Sequence, residues 1–246
     1  MDGRVRVLSI GGPFNFSSLN NRAVAEAEGE LIGLLNNDIE VIEPNWLEEM
    51  VSQAVQPGVG TVGAKLLYSN NTIQHAGVVV GLGGVAGHGH KGRDRSDFGY
   101  MCRLQLVYNV SCVTAACMVM PKKVFEEVGG FDEQNLKVAF NDVDLYRKIR
   151  SAGYDIVWTP YAELYHLESA TRGSDEIPEQ IVRAQQEQEF MKRRWGAMLQ
   201  NDPFYSPNLT QDYENYGLAF PPRVSKPWVG EVLPTILTRN AVSGLR

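Results

Sequence analysis

Residues 17–38 read SSLNNRAVAEAEGELIGLLNND, and this stretch indicates the fold class of the chain. Residues 17–28 begin at a serine cap and end before Gly29, which predicts a helix. The apolar run 31–35 follows without alternation and stops at polar turn formers, so we predict a central strand covered on both faces. A helix joined to a buried strand is the repeating unit of an α/β domain.

The pattern extends from this stretch in both directions. Residues 4–10 place apolar side chains on one face, so a strand is predicted before the helix. Downstream, strands and helices alternate, which favours a mixed, mostly parallel sheet flanked by helices, with right-handed crossovers. The further predicted helices are residues 45–55, 121–128, 142–152 and 178–195, and the further predicted strands are residues 60–68, 72–80, 110–120, 155–158 and 162–165.

The composition narrows the possible classes of protein. The chain has 246 residues, of which 43% are hydrophobic and 21% charged, which excludes a disordered, collagen-like or coiled-coil protein. A formal net charge of −6 provides no basic field for a phosphate backbone, so we exclude nucleic acid as the main partner. The most apolar stretch, residues 113–120, is shorter than the ~20 residues of a membrane helix, and the first residues lack an apolar signal segment.

The cysteine usage agrees with a reducing compartment. Cys102, Cys112 and Cys117 form no C-x-x-C pair and lack zinc-site spacing with the four histidines. We interpret them as reduced thiols and predict a cytoplasmic protein.

One candidate site follows the buried strand, at Asn36, Asn37 and Asp38. Ligands of parallel sheets gather at the carboxyl ends of strands. A carboxylate flanked by amides at that position can hold a hard divalent cation against a diphosphate. The alternative is that the three residues only form a turn before the next helix.

Two further candidates lie in the second half of the chain. Asp142 and Asp144 stand two positions apart at a predicted helix start, where the helix dipole and free amides stabilise carboxylates. An ordinary cap with an acidic first turn explains them equally well. His166 ends a predicted strand, and a neutral imidazole is a good ligand for a borderline metal. The alternative for His166 is a histidine that is merely hydrogen-bonded.

Taken together, four stretches resemble family 2 glycosyltransferases of the GT-A fold, particularly rhamnosyltransferase-like enzymes of bacterial surface polysaccharides. They read NFSSLNNRAVAEAEGELIGLLNNDIEV, VGAKLLYSNNTIQHAGVVVGLGGVAGHGHKG, VTAACMVMPKKVFEEVGGFDE and VAFNDVDLYRKIRSAGYDIVWTPYAELYHLESATRG. They cover most of residues 14–173. Each stretch is weak as a pattern, whereas their order and spacing are specific.

The resemblance implies a metal-assisted inverting transfer from a nucleotide-diphosphate sugar to a saccharide hydroxyl. Asp38 takes the place of the family's metal-binding aspartate, and His166 that of a histidine that completes the shell around Mn²⁺ or Mg²⁺. Asp142 takes the place of the catalytic base, with Asp144 as a second carboxylate. Asn141 stands where the family usually has a glutamate.

The resemblance also implies the substrate contacts. Residues assigned to the nucleotide are Asn15, Asn21 and Asn37. Residues assigned to the acceptor are Thr114, Ala115, Ala116, Cys117, Asp144, His88 and His90. The two histidines lie in the glycine-rich segment 81–99, which could close over the donor phosphates or be only a solvated connection.

The chain departs from the family at its start, because no strand with a nucleotide-binding aspartate precedes residue 4. We therefore expect a C-terminal portion of a GT-A enzyme, with an exposed sheet edge near Val5 and Val7 that a second copy or an N-terminal segment would cover. The expected division is a partial GT-A domain at 1–175, a helix at 176–200 and an extended or partly disordered tail at 201–246. Expected partners are a nucleotide sugar and a free or lipid-linked saccharide, with possible association at the inner membrane face.

Two other classes of function stay open from the sequence. A saccharide- or partner-binding remnant without activity would keep the scaffold and lack the front of the donor site. A nucleotidyltransferase would need a glycine-rich phosphate loop with a basic residue near its start, and Gly11, Gly12 and Pro13 match that loop poorly.

Overall fold

The computed structural model of the protein describes residues 5–167 and 178–224. Its regular elements alternate along the chain in the manner of an α/β protein. In chain order they are α1 (Phe16–Glu26), β1 (Leu31–Leu35), β2 (Ile39–Val41), α2 (Trp46–Ala54), β3 (Val59–Leu67), β4 (Ile73–His75), β5 (Val78–Val80), β6 (Ala86–His88), β7 (Tyr108–Asn109), β8 (Cys117–Pro121), α3 (Lys122–Glu127), α4 (Asn141–Ser151), β9 (Asp155–His166) and α5 (Pro178–Trp195).

The main sheet of the described residues is mixed, with the strand order β1-β8-β3-β9-β2, while β4 pairs with β3 and β7 with β9. The mixed α/β sheet confirms the predicted fold class, but the expectation of mostly parallel pairing is wrong. The β3–β9 ladder is parallel, whereas the other ladders of this sheet are antiparallel. The cause is β8, which lies between β1 and β3 and runs against both.

Several predicted strands have different bounds in the structure. Residues 5–10 form no strand, and Val5 and Val7 are exposed. The predicted strand 72–80 is interrupted at Gly77, whose φ of 85° lies in the left-handed region that favours glycine. That break separates β4, in the main sheet, from β5, which pairs with β6 in a sheet of two strands.

Other predicted strand bounds differ from the observed ones because a buried apolar run without alternation can be either a strand or a buried loop. In the predicted strand 110–120, regular strand pairing begins only at Cys117. The two predicted strands 155–158 and 162–165 are one continuous strand, β9.

The core lies on both sides of the main sheet. One cluster gathers Trp158, Tyr146 and Leu145 between the sheet and α4, and the other packs Met50 of α2 against Leu164 and its neighbours. The expectation that β1 is a central strand covered on both faces is wrong, because β1 lies at one end of the strand order of the described sheet. Its outward side chains alternate with buried ones, and Leu35 is 50% exposed.

Helix α5 fixes the segment that precedes α4. The buried carboxylate of Glu187 accepts hydrogen bonds from the backbone amides of Lys137, Val138 and Ala139 at 2.8, 3.0 and 2.9 Å. These three contacts hold the chain just before the first turn of α4. A helix outside the sheet thereby determines where Asp142 lies.

Residues 201–224 contain no helix or paired strand of regular length, and they pack on the β5–β6 sheet. Asp202 accepts a hydrogen bond from the amide of Val80 at 2.7 Å, and Tyr205, Leu209 and Tyr216 are buried. The predictions for residues 1–4, 168–177 and 225–246 lie outside the described residues. Within the described part of the chain, no helix has both the length and the apolar content needed to cross a bilayer.

Candidate active site

The turn after β1 brings Asp38 next to His166. In the β2–β9 ladder Ile39 is the register partner of His166, and the amide of Leu167 donates a hydrogen bond to the carbonyl of Asp38 at 2.9 Å. As a result, Nε2 of His166 lies 3.2 Å from Oδ1 of Asp38, and both side chains are nearly buried. The predicted pair of metal ligands is therefore adjacent in space, although 128 positions separate the two residues in the sequence.

Gln74 of β4 determines which nitrogen of His166 carries its proton. The amide nitrogen of Gln74 donates to the backbone carbonyl of His166 at 3.2 Å, so its Oε1 is the acceptor that faces Nδ1 of the ring at 2.7 Å. The proton of a neutral ring therefore lies on Nδ1. Nε2 then carries a lone pair, which is the form that binds metal ions.

The pair of Asp38 and His166 fits a cation. Oδ1 of Asp38 is buried without a hydrogen-bond partner, and it faces the lone pair of Nε2 across 3.2 Å. Two electron-rich atoms at that distance repel unless a proton or a metal ion lies between or beside them. The amide nitrogen of Asn36, 3.3 Å from Nε2, closes one side of the same position.

The described residues include no group of three histidine, cysteine, aspartate or glutamate side chains that could hold a metal. A cation at Asp38 and His166 would thus have two protein ligands from this part of the chain. Its other positions would be open to substrate oxygens or water, which is the arrangement of ions that retain an accessible coordination position.

Asp142 lies in the first turn of α4 and is partly buried. Its Oδ1 accepts a hydrogen bond from the amide of Val143 at 2.8 Å, and its Oδ2 accepts one from the amide of Ala115 at 3.4 Å. Burial raises the pKa of the Asp142 carboxyl above its ordinary value, and these backbone hydrogen bonds offset part of that rise. Phe140, directly before the helix, has a φ of 58°, an unfavourable value for a bulky side chain.

The segment 114–116 connects Asp142 to the Asp38–His166 pair. The amide of Thr114 donates to Nε2 of His75 at 3.3 Å, and the next amide, that of Ala115, donates to Asp142. The carbonyl of Ala116 accepts the amide of Asn36 at 2.9 Å. Three consecutive residues therefore contact the turn after β1, the end of β4 and the start of α4.

Seven residues were assigned to the acceptor, and among the four consecutive ones, residues 114–117, Thr114 is the one with an accessible side chain. Ala115, Ala116 and Cys117 are 3%, 6% and 1% exposed, so they can shape the floor but offer little contact surface. Burial raises the pKa of the Cys117 thiol to about 12, which makes it an inert core group.

The structure does not bring Asp144 to this site. Its side chain is fully buried, with Oδ1 accepting hydrogen bonds from the indole of Trp195 at 2.9 Å and facing Arg194 at 3.1 Å. The ammonium of Lys148 lies 3.4 Å from Oδ2. Two positions along a helix point to different faces, so Asp144 anchors α5 and the expectation of a second proton acceptor is wrong.

The asparagines predicted near the nucleotide have structural partners. Asn15 caps α1 and donates to the carbonyl of Glu133 at 2.9 Å, while Asn21 exchanges two hydrogen bonds with the backbone of Phe131. They hold the loop 130–133 against α1. Asn37 is exposed in the turn, next to Asp38.

The two histidines of the glycine-rich segment have different surroundings. His90 is fully buried, stacks on Tyr216 with ring centres 4.1 Å apart and accepts the amide of Tyr100, so it is not available to a substrate. His88 is half-buried, and its Nδ1 lies 3.0 Å from Nδ1 of His75. The expectation of a substrate contact therefore fails for His90 and stays open for His88.

Sequence reasoning missed Gln74 and His75 as members of this site. A polar Gln-His pair inside the apolar strand 72–80 was the available signal, because buried polar side chains require partners. Asn36 belongs to the candidate triplet of residues 36–38. The sequence alone does not show whether Asn36 or Asn37 faces His166, because that depends on the geometry of the turn.

A cleft of about 890 Å³ runs along the part of β9 between its pairings with β7 and β2. Lys65, Arg95 and Glu163 form its charged floor, with Glu163 accepting contacts from Lys65 at 2.8 Å and Arg95 at 2.6 Å. The carboxylate of Glu163 thus offsets one of the two positive charges. The rings of Tyr161 and Phe98 are exposed at its walls.

Residues 2–192 match the glycosyltransferase-like family 2, and the chain therefore belongs to that family. Among individual relatives, it is 54% identical over 220 residues to the uncharacterized protein y4gI of Sinorhizobium fredii, covering 89% of this chain and 24% of the relative. It is 41% identical over 222 residues to the O-antigen biosynthesis protein RfbC of Myxococcus xanthus, covering 89% of this chain and 17% of the relative. The chain thus spans about a quarter or less of the length of these relatives.

A solved structure also resembles the fold. The superposition with the structure of GalNAc-T7 with UDP, GalNAc and Mn²⁺ covers 76% of this chain and 36% of the GalNAc-T7 chain, with a TM-score of 0.57 and 12% sequence identity. The fold is the GT-A fold expected from the sequence. At this level of identity the likeness concerns the fold alone.

Proposed function

We propose that the chain forms the metal and acceptor part of a glycosyltransferase that moves a sugar from a nucleotide-diphosphate donor to a saccharide hydroxyl with inversion. Membership of the family supports a transferase. The observation that carries the proposal is the contact between Oδ1 of Asp38 and Nε2 of His166, two electron-rich atoms that a metal ion between or beside them would hold together.

Asp38 and His166 would hold Mn²⁺ or Mg²⁺, whose charge would offset the negative charge that develops on the departing diphosphate. Asn36 orients the imidazole from one side and Gln74 from the other. These residues exclude the tautomer that could not bind the ion.

Asp142 is the proposed proton acceptor for the attacking hydroxyl. Its carboxylate is held by two backbone amides and is raised in pKa by burial, which makes it a stronger base than an ordinary aspartate. The transition state is expected to resemble an oxocarbenium ion, as in other reactions at the anomeric carbon.

The wider context is also a proposal. The relative from Myxococcus xanthus is named for O-antigen biosynthesis, which supports a role in bacterial surface polysaccharide synthesis with a free or lipid-linked saccharide acceptor. We propose action in the cytoplasm, at the inner face of the membrane. The edge of β1, unpaired among the described residues, is where a second copy or another segment would pair.

The test is a transfer assay with UDP-, dTDP- and GDP-sugars, Mn²⁺ and a panel of saccharide acceptors, in which released nucleotide and the anomeric configuration of the product are measured. The proposal expects transfer with inversion from one donor class and loss of transfer on chelation. Product with retained configuration would contradict the role of Asp142, and transfer unaffected by chelation would contradict the role of Asp38 and His166.

A further inference from the structure

A second histidine pair lies close enough to His166 for both of its rings to interact electrostatically with that residue, and the hydrogen bonds of the pair determine its protonation. His75 is fully buried at the end of β4, directly after Gln74. His88 is half-buried at the end of β6, where it is the register partner of Val78. Their rings meet edge to face, with centres 5.1 Å apart.

The direction of the hydrogen bonds follows from one backbone amide. The amide of Thr114 can only donate, so Nε2 of His75, 3.3 Å away, is an acceptor and carries no proton. Burial, followed by the neighbouring rings of His88 and His166, lowers the pKa of His75 well below its ordinary value, so the ring is neutral and its proton is on Nδ1.

The hydrogen bond from His75 also determines the tautomer of His88. Nδ1 of His75 donates across 3.0 Å to Nδ1 of His88, which is therefore an acceptor. Burial, then Lys91 and His166, lowers the pKa of His88 to about 4, so this ring is neutral as well. Its proton is on Nε2, and no described residue accepts a hydrogen bond from that atom.

Two adjacent residues of β4 thus give two histidines opposite tautomers. Gln74 leaves Nε2 of His166 as a lone pair, and His75 leaves Nε2 of His88 as a donor. An N–H donor without a charge can lie beside a bound cation without repelling it, whereas an imidazolium would repel it. A neutral N–H group near a cation site can therefore donate a hydrogen bond to the anion that accompanies the cation.

We propose that His88 binds an anionic oxygen of the donor diphosphate through Nε2–H, and that His75 is a positioning residue that holds His88 in the required tautomer. This inference rests on the proposed function, since it takes the diphosphate as the ligand beside the cation. The proposed chemistry is a hydrogen bond from a neutral donor to a charged acceptor.

The tautomers are measured by long-range proton–nitrogen correlation spectra of protein labelled with ¹⁵N-histidine, without ligand. The expected result is a protonated Nε2 and a bare Nδ1 in His88, with the reverse in His75 and His166. A His88 ring protonated on Nδ1 overturns the proposal. This measurement does not depend on whether the protein transfers sugar.

The ligand is tested by calorimetric titration with inorganic pyrophosphate and Mn²⁺, since every nucleoside diphosphate shares that chemistry. His88→Ala should weaken pyrophosphate binding by about 10- to 100-fold, the range for loss of one hydrogen bond to a charged group. His88→Gln, whose amide can reach the place of Nε2, should retain most of the affinity. Mn²⁺ affinity measured alone should be unchanged in both variants.

The role of His75 is tested with a matched pair of amides. The nitrogen of an asparagine lies near the place of Nδ1, so His75→Asn can still donate to His88, while His75→Gln cannot. The proposal expects His75→Asn to retain the His88 tautomer and pyrophosphate affinity, and His75→Gln to lose both. Equal behaviour of the two folded variants contradicts the positioning role.

The outcomes separate this inference from the proposed function. Normal Mn²⁺ binding with pyrophosphate affinity indifferent to His88 overturns the inference alone. Loss of the Mn²⁺ site with pyrophosphate affinity that still depends on His88 overturns the metal proposal alone. A wild-type protein that binds no pyrophosphate overturns the assignment of the diphosphate to His88.

Discussion

At the scale of single residues, Asp142 combines a chemical role with a cost in stability. Its carboxyl has a pKa raised by burial, so the folded state binds a proton more readily than the unfolded chain does. The penalty is absent at a pH below the unfolded pKa of about 4 and develops as pH rises through the folded pKa.

The variant Asp142→Asn should separate these two effects. Transfer should fall by about 10²–10⁴-fold, because the amide cannot accept a proton. The free energy of unfolding at pH 7 should be equal to or above that of the wild type, and the difference should vanish below about pH 4. Denaturant titrations at several pH values, together with initial rates, measure both. An unchanged rate would show that another group is the base.

The pH profile of the wild type provides a second check on Asp142. The acidic limb of kcat/KM should have an apparent pKa above the ordinary aspartate value of about 3.9, because the base must be ionised and its pKa is raised. The limb should be absent in Asp142→Asn. A limb with the same position in both proteins would assign the titration to another group.

Gln74 is expected to act on the metal site through His166. Gln74→Leu removes the acceptor at 2.7 Å from Nδ1 and should weaken Mn²⁺ binding by about 10- to 100-fold, the range for loss of an outer-shell partner. Gln74→Glu keeps an acceptor for Nδ1–H and is the matched control, with affinity close to that of the wild type. Titration of Mn²⁺ by calorimetry distinguishes the two, and equal weakening in both would contradict the tautomer argument.

The candidate residues that the structure brings together are those whose neighbours in the chain define their place. Asp38 follows a strand and His166 ends one, so their meeting could be anticipated from the order of elements. Asp144 was misassigned because its partners, Trp195 and Arg194, lie about fifty positions away on another helix. No local sequence pattern around Asp144 predicts that contact.

At the scale of elements, the helices were predicted more closely than the strands. The periodicity of α4 and α5 placed both within one residue of their observed bounds, because a helix is stabilised by contacts three and four positions apart. Strand pairing depends on distant residues. The antiparallel insertion of β8 between β1 and β3 has no local signal, and this is why the parallel sheet was overestimated.

Helix α5 is expected to control the geometry of the site from outside it. Glu187→Ala leaves three backbone amides without their acceptor, and it should lower the free energy of unfolding by about 2–4 kcal/mol, as loss of hydrogen bonds to a buried charged group does. Glu187→Gln keeps one acceptor oxygen and should lose less. Chemical denaturation measures both, and an unchanged stability of Glu187→Ala would contradict the anchoring role.

At the scale of the whole molecule, the site is assembled from segments far apart in the sequence. Residues 36–38, 74–75, 114–116, 142 and 166 meet only when the main sheet is complete. A ligand that binds such a site stabilises the entire fold, because the unfolded chain does not hold its ligands together.

Mn²⁺ should therefore raise the thermal unfolding midpoint of the protein. At a concentration one hundred times the dissociation constant, the expected stabilisation is about 2.7 kcal/mol. The effect should disappear in His166→Ala and persist in Glu28→Gln, which removes one exposed carboxylate elsewhere. Scanning calorimetry with and without Mn²⁺ measures it, and an equal shift in both variants would indicate binding at another place.

We propose that Asp38 and His166 together hold the cation that serves the transfer. Electron spin-echo spectroscopy of Mn²⁺ bound to the protein with UDP, in the wild type, His166→Ala and Asp38→Asn, tests whether these two residues are its ligands. We expect nitrogen modulation from one imidazole in the wild type, loss of that modulation in His166→Ala and weaker Mn²⁺ binding in both variants. Imidazole modulation that persists in His166→Ala, or Mn²⁺ affinity unchanged in both variants, would contradict it.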